Sequence, residues 1–260
     1  MRDLSDLTAS IVAPGVHLVP SDAPSRSHWG GAPGLPAGDW PTRNGRKLTF
    51  LARVSLAELH RAHRIGWLPT TGALLFFYDL EEQPWGFDPK DKGSGAVLHV
   101  PDLDSPITPV KSKDGGGIAP RSMSFRLIQT LPSWEREAVQ ELTLSDDEFD
   151  EYSDLAEAPY DGHARHQVGG LPVPVQGDQM ELECQLASNG IYIGDPSGYA
   201  DPRARPLEAG AAEWRLLLQF DTDDDLGVMW GDCGRLYFWV RESEAKAGRF
   251  GGTWLILQSG

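Results

Sequence analysis

This chain of 260 residues contains only two cysteines, Cys184 and Cys233, and no long hydrophobic run. Two thiols are too few for a disulfide framework, and their separation does not match the spacing of zinc ligands. The apolar stretch near the N-terminus stops at Pro14, and no segment approaches the roughly 18 apolar residues of a membrane span. We therefore expect a cytoplasmic protein that has no membrane contact.

Motifs of known catalytic centres are also missing. Ser197 is followed directly by glycine and preceded by Pro196, unlike the serine of the hydrolase nucleophile elbow. The glycine-rich stretches at Gly93 and Gly115 lack the helix or the lysine of a phosphate-binding loop. No cofactor is predicted. The balance favours a protein that is not an enzyme, although motifs alone leave that question open.

Basic residues are scarce, because 23 lysines and arginines face 38 aspartates and glutamates, for a net charge of −15. Such a surface repels phosphate backbones, so nucleic acid and anionic membranes are poor partners, whereas a basic protein or a cation is a better one. The acidic stretch 145–161 is the candidate contact surface. The same charge also serves solubility, and it does not fix the oligomeric state.

What the chain has in abundance is turn-forming and aromatic residues. It contains 29 glycines and 20 prolines, together with nine tryptophans, nine phenylalanines and six tyrosines. Many short strands joined by turns follow from that mixture, because aromatic side chains pack well on a pleated surface. We predict a single β-rich α+β domain with a mainly antiparallel sheet.

A strand pattern occurs twice. Residues 50–55 are an apolar run followed by the glycine-led aromatic run 72–80, and residues 216–221 are followed in the same way by 234–240. A repeated unit of this kind cannot bury its apolar face alone, so two copies are expected to pack together. The aligned positions are Phe50 with Leu216, Arg53 with Gln219, Val54 with Phe220, Gly72 with Gly234, Leu74 with Leu236, and Phe76 with Phe238.

These copies predict two repeat halves, approximately 27–130 and 166–260, joined by an acidic helical segment at 131–165. Ser145 and Glu148 form a capping-box pattern in that segment. A second such pattern, Ser55 with Glu58, is expected to start a helix at Leu56 that ends near Ile65. Further predicted elements are a short helix within residues 1–24, strands at 47–54, 73–78, 96–100, 125–128, 180–186 and 252–258, and a long loop at 101–121.

Acidic residues after the second apolar run offer a weak metal candidate. Asp221, Asp223 and Asp225 alternate as in calcium-binding loops, where oxygen ligands surround the ion. The pattern fails at Leu226, which stands where such loops need glycine. A solvated acidic turn, a cap or a partner contact is the alternative interpretation.

His166 precedes Gln167 and a Gly-Gly turn, which places it within reach of Gln176 and Asp178. An aspartate that orients a histidine is the beginning of acid or base catalysis, whereas a histidine bonded to its own turn has only a structural role. The full set of candidate ligand- or partner-binding residues is Arg53, Trp85, His166, Gln176, Gln219, Asp221, Trp230 and Asp232.

Seven separated blocks occur in order from about Trp29 to Gln258: GGAPGLPAGDWP, KLTFLARVSL, LPTTGALLFFYD, WGFDP, HQVGGLPVPVQGD, WRLLLQFDTD and MWGDCGRLYFWV. Together they resemble the YwqG-like family of uncharacterised bacterial proteins, a domain of unknown function. One departure is Arg53, where such proteins usually carry glutamine, and this arginine is expected to need an acidic partner. The equivalent position in the second copy retains Gln219.

The resemblance implies a compact, β-rich α+β domain with internal duplication and no established reaction. Some genes of this family lie beside secreted-toxin loci, which implies a protective role. Two function classes follow. One is a non-enzymatic interaction protein that binds a basic partner, such as a toxin it neutralises. The other is a small-ligand-binding protein or enzyme with a polar site between the repeat halves.

Overall fold

The computed structural model describes residues 4–35, 40–101 and 117–260. Three 3₁₀ turns, at Pro89–Asp91, Ala158–Tyr160 and Arg205–Glu213, accompany the regular elements. The strands are β1 (Ala13–Ser21), β2 (His28–Trp29), β3 (Thr42–Arg43), β4 (Arg46–Lys47), β5 (Thr49–Ser55), β6 (Ala73–Tyr78), β7 (Gly95–Val100), β8 (Arg121–Thr130), β9 (Gln167–Gly169), β10 (Trp214–Asp221), β11 (Arg235–Arg241) and β12 (Trp254–Gln258). The helices are α1 (Leu4–Thr8), α2 (Leu56–Ala62), α3 (Glu137–Gln140), α4 (Asp146–Glu157), α5 (Met180–Ser188) and α6 (Glu242–Lys246).

One sheet of ten strands organises the domain, in the order β12-β11-β10-β9-β1-β8-β2-β5-β6-β7, and β3 with β4 forms a separate small hairpin. Every neighbouring pair in the large sheet is antiparallel. β1 and β8 pair at the centre, from Ala13 with Thr130 to Ser21 with Ser122. The predicted β-rich α+β fold with a mainly antiparallel sheet is confirmed.

The two ends of the sheet share details that an internal duplication predicts. The pairing of β5 with β6 shifts at Leu51, and the pairing of β10 with β11 shifts at Leu217. Those two bulge residues occupy equivalent positions in the alignment of the two copies. The boundaries of the two halves stay a prediction. The bonds that close the pairs also correspond: Leu56 N to Gly72 O at 2.9 Å, and Thr222 N to Gly234 O at 3.1 Å.

Aromatic side chains from both ends of the sheet meet in one core. The rings of Phe76 and Phe238 pack edge to face with centroids 5.3 Å apart. Trp29, from the middle of the sheet, stacks on Phe220 at 4.4 Å. Strands from both ends of the sheet therefore bury apolar side chains in one shared cluster.

Its two edges are linked through the turn between β6 and β7. The carbonyl of Trp85 accepts a hydrogen bond from Leu257 N in the edge strand β12 at 3.0 Å. The carbonyl of Gly86 accepts another from the Trp254 indole at 2.8 Å. The turn therefore protects part of an edge that would otherwise be open to other strands.

Two assignments made from local pattern were wrong. The N-terminal segment contains α1 as expected, but residues 13–21 form the central strand β1, which Pro14, Gly15 and Pro20 disguised. Proline lacks an amide donor, so it is tolerated near strand ends, and here Val16 and Leu18 between the prolines reach the core.

Residues 180–186 are the other exception, because they form helix α5 rather than a strand. The buried positions Met180, Cys184 and Ala187 repeat with the helical period, although the letters also alternate as in a strand. Helix α2 ends at Ala62, earlier than the predicted end near Ile65, because the backbone at His63 is extended. The predicted loop 101–121 lies outside the described residues at 102–116.

Both capping predictions hold at the serine. Ser145 and Glu148 form the full reciprocal box at the start of α4. At the start of α2, Ser55 accepts from the Glu58 amide, but the Glu58 carboxylate binds the hydroxyls of Ser25 and Ser27. That glutamate therefore ties the segment before β2 to the helix. None of the helices within the described part of the chain is long and apolar enough to cross a membrane.

Glu183 is a buried carboxyl in α5. Its Oε1 accepts from the Tyr199 hydroxyl at 3.3 Å, and its Oε2 has no hydrogen-bond donor among the described residues. Burial raises the pKa of Glu183 to about 7; the Tyr199 bond opposes that rise, and the charges of Glu181 and Asp178 add to it. Between about pH 4.5 and pH 7, the folded chain therefore keeps a proton on Glu183 that the unfolded chain releases.

Replacing Gly86 with alanine tests the closed edge. A Cβ at this residue would lie 1.9 Å from the Leu255 carbonyl oxygen, at a φ of +87°. Gly93 is a matched control, since it has φ +80° and open space. In urea unfolding, Gly86→Ala should cost about 3 kcal/mol or more, and Gly93→Ala about 1 kcal/mol. Equal losses would contradict the close approach of the turn to β12.

Glu183→Gln tests the buried carboxyl. Because the folded pKa of about 7 exceeds the ordinary 4.5, the stability from the bound proton is present below pH 4.5 and is lost as the pH rises to about 7. The free energy of unfolding of the variant, relative to wild type, should rise by roughly 3 kcal/mol between pH 4.5 and pH 8. Urea titrations at several pH values measure it, and a difference that does not change with pH would refute the assignment.

Candidate functional site

Three of the predicted polar residues meet at one end of the sheet. His166 immediately precedes β9, and Gln219 and Asp221 lie in β10, which pairs with β9 through Gln219 and Gln167. All three side chains are buried. The convergence expected between the sequence-predicted residues is therefore real, and its chemistry depends on what each polar atom contacts.

His166 is anchored through both nitrogens of its ring. Its Nδ1 accepts the Asp221 backbone N–H at 3.0 Å, so the proton lies on Nε2, which donates to Asp223 Oδ2 at 2.9 Å. The ring packs against both Trp29 and Phe220, with centroids 4.6 and 5.0 Å away. Both ring nitrogens bind other groups of the chain, so the geometry favours a structural role for His166 over acid or base catalysis.

The predicted partners of His166 are elsewhere. Asp178 accepts two bonds of 2.6 Å from the Arg136 guanidinium, and the Gln176 side chain donates to the Ser259 carbonyl at 2.8 Å. The prediction that Asp178 orients His166 was wrong, because the loop after β10 brings Asp223 to the ring instead. Spacing along the chain does not reveal that long-range contact.

Asp221 and Gln219 hold the segment that leads into and out of β9. Asp221 accepts from Arg235 Nε at 2.7 Å and from the Arg165 amide at 2.9 Å. Gln219 donates to the Arg165 carbonyl at 2.7 Å and accepts from the Val173 amide at 2.9 Å. The Arg165 guanidinium also lies 3.8 Å from the Asp221 carboxylate. These contacts bind main chain and two guanidinium groups, so they fix the fold and leave little for a substrate.

The acidic loop after β10 uses its carboxylates in the same way. Burial raises the pKa of Asp223, but bonds from His166 and from the amides of Leu226 and Asp225 outweigh burial and hold that pKa below its usual value. Its Oδ1 caps the turn, and Asp225 is exposed. Within residues 4–35, 40–101 and 117–260, no group of three acidic, histidine or cysteine side chains is arranged to hold a metal ion.

The remaining candidates are dispersed. Trp230 is buried and donates to the Asp221 carbonyl at 3.0 Å, while Asp232 is exposed. Arg53 is buried in β5, at the other end of the sheet, and donates to the Pro101 carbonyl at 3.4 Å. Trp85 is 42% exposed. Trp230 therefore belongs to the buried network, and these other candidates do not.

Sequence reasoning missed a further correspondence between the copies. His28-Trp-Gly-Gly and Gln167-Val-Gly-Gly each form a short strand that ends in two left-handed glycines. His28 Nδ1 lies 3.0 Å from the Gly30 carbonyl, and Gln167 Nε2 donates to the Gly169 carbonyl at 3.0 Å. The shared Gly-Gly pair was the signal that could have extended the repeat to these strands.

An open groove lies beside the acidic helix. It encloses about 420 Å³ between α4, residues 131–135 and residues 172–176, and we name it the α4 groove. Tyr152 forms part of its wall and donates to the Pro132 carbonyl at 2.6 Å. Trp134 and Phe149 stand at the surface, 53% and 41% exposed, with their rings edge to face at 6.5 Å.

Carboxylates dominate the chain around this groove. No lysine or arginine occurs between Arg136 and Arg165. Glu148 is used by the helix cap, Glu157 pairs with Arg165, and Asp161 pairs weakly with Arg126 at 3.7 Å. The acidic residues of this stretch are Glu137, Glu141, Asp146, Asp147, Glu148, Asp150, Glu151, Asp154, Glu157 and Asp161.

These features define a β-rich α+β domain whose converging polar residues are structural and which carries a groove beside exposed aromatic rings and a run of carboxylates. The sequence matches the family model described as "Domain of unknown function (DUF1963)" over residues 27–259, and the chain belongs to that family. No curated protein matches the chain.

Asp221→Asn tests whether the converging residues are structural. The change leaves the buried Arg235 without its carboxylate, so the free energy of unfolding should fall by about 3 kcal/mol. Asp201→Asn breaks a surface pair with Arg203 and should change stability little. Urea unfolding compares the two. Equal effects would show that the Asp221 pair does not stabilise the fold.

Proposed function

We propose that this chain is a non-enzymatic cytoplasmic protein that binds a basic protein partner through the α4 groove. The finer assignment, to the bacterial YwqG-like proteins, is part of the same proposal, and a toxin neutralised by binding is the partner that the resemblance favours. The observation that carries the proposal is the coincidence of two exposed aromatic rings with a long run of carboxylates.

Exposed aromatic pairs and charge serve different steps of binding. Large rigid side chains such as Trp134 and Phe149 bury much area at low entropic cost, which is why aromatic residues are enriched among binding hot spots. The carboxylates of α4 attract a basic partner over about a Debye length and speed encounter more than they tighten the complex. A partner segment with lysine or arginine around one apolar side chain matches both features.

The alternative is a small-ligand or enzymatic site built from Arg53, His166, Gln219, Asp221 and Asp232. His166 binds Asp223, Gln219 binds main chain, and Asp221 binds Arg235. Asp232 is exposed and does not join them. Catalysis needs groups that can bind or exchange protons with a substrate. The geometry therefore gives this second class less support than the first.

Peptide display tests the proposed contact. A library of random 12-residue peptides is panned against the purified chain, and the enriched peptides are measured by fluorescence anisotropy. They should carry net positive charge around an aromatic or aliphatic residue. The double variant Trp134→Ala/Phe149→Ala should weaken their binding at least tenfold, because it removes the apolar contact.

Trp85→Ala is the matched control, since Trp85 is similarly exposed but does not line the groove. It should bind the peptides as wild type does, and raising the salt concentration should slow their association. Enriched peptides without positive charge would overturn the proposal. So would peptides that bind the double variant as well as wild type, or that lose binding only in Trp85→Ala.

A further inference from the structure

A second pocket lies beside residues 169–172. It encloses about 440 Å³, within the range of small-molecule sites. Arg64 and Trp67 line it from the turn after α2, and Gly170, Trp214 and Trp239 line it from the other predicted repeat half. A site between two packed halves can be present even though neither half encloses it alone.

Its wall is aromatic and partly fixed. The Trp214 indole donates to Gln185 Oε1 at 3.0 Å, and the Arg241 guanidinium lies over its ring at 4.3 Å. Trp239 is buried next to it in the same apolar cluster, while Trp67 is half-buried at the mouth. Trp214 and Trp239 are each 1% exposed, so Trp67 is the indole of this wall that a flat apolar ligand can reach and stack on.

The charges at the mouth leave one cation unmatched. Arg215 pairs with Glu242 at 2.7 Å, and Glu181 accepts from Arg136 at 3.0 Å, so those charges are offset. Arg64 has no hydrogen bond or ion pair to any residue within the described ranges, and it is exposed. An arginine without a partner beside an aromatic pocket can bind the carboxylate of a ligand, and this local contact must outweigh the repulsion from the net charge of −15.

Trp239 adds a second donor. Its Nε1 is buried and has no acceptor in the part of the chain that the structure describes. Buried donors without an acceptor are uncommon, and in a residue that lines a pocket such a donor points to a ligand acceptor. Arg64 and Trp239 thus indicate the same ligand chemistry from different positions.

We propose that this pocket binds a small aromatic anion, with its flat ring against Trp67 and its carboxylate at Arg64. The guanidinium forms paired bonds with a carboxylate, which a neutral amide cannot reproduce. Pro172 lines both this pocket and the α4 groove, but Arg64, Trp67 and Trp239 do not line the groove, so either proposal can fail while the other stands.

Calorimetric titration with 2-naphthoate and with the neutral 2-naphthamide tests the proposal. The acid should bind at least tenfold more tightly than the amide. Arg64→Gln should remove that preference, and Trp67→Ala should weaken both ligands. Trp239→Phe, which retains an aromatic ring but removes the indole N–H, should weaken the acid severalfold.

Arg61→Gln is the matched control, because Arg61 is an exposed arginine one turn earlier and does not line the pocket. It should bind both ligands as wild type does, and so should Trp134→Ala. Near-ultraviolet circular dichroism confirms that each variant is folded. Equal affinity for acid and amide, equal effects of the two arginine changes, or no heat with either ligand at millimolar concentration would overturn the proposal.

Discussion

The pairing of β1 with β8 is the interaction on which the whole sheet depends. β8 joins the strands of the first copy through β2, and β1 joins those of the second copy through β9. Without this pairing, the strands on each side of it would form a shorter sheet with one apolar face exposed to water. With it, Phe76 and Phe238 meet, and the apolar faces bury one another.

Local pattern predicts elements well where one period dominates. β6 is apolar at every position and pairs on both sides, so its bounds agree with the prediction. β1 escaped because Pro14 and Pro20 break the pattern that its buried centre obeys. α5 was not predicted because residues 180–186 alternate as a strand does, although Met180, Cys184 and Ala187 also fall on one face of a helix. In both cases the sequence pattern is compatible with more than one secondary structure, and burial in the tertiary fold determines which one forms.

The polar candidates show a different limit of sequence reasoning. The repeat alignment indicated Gln219 and the alternating acidic residues indicated Asp221, and both lie beside His166. Their roles could not be predicted, since the segment they bind, from Arg165 to Val173, has no regular pattern. The sequence also showed no sign that Trp134 and Phe149 form a pair. They lie 15 positions apart, and only the packing of α4 against the 131–135 segment makes them neighbours.

The position of β1 also constrains how the chain is made. Ala13 and Thr130 are 117 positions apart, and the strand acquires its other neighbour only at β9. A ribosome therefore releases the central strand of the sheet long before either flanking strand exists. Contacts this distant in sequence slow folding, because the intervening loop must close first. For that interval Val16 and Leu18 have no neighbouring strands, so this apolar segment cannot be buried in the sheet until the later strands are made.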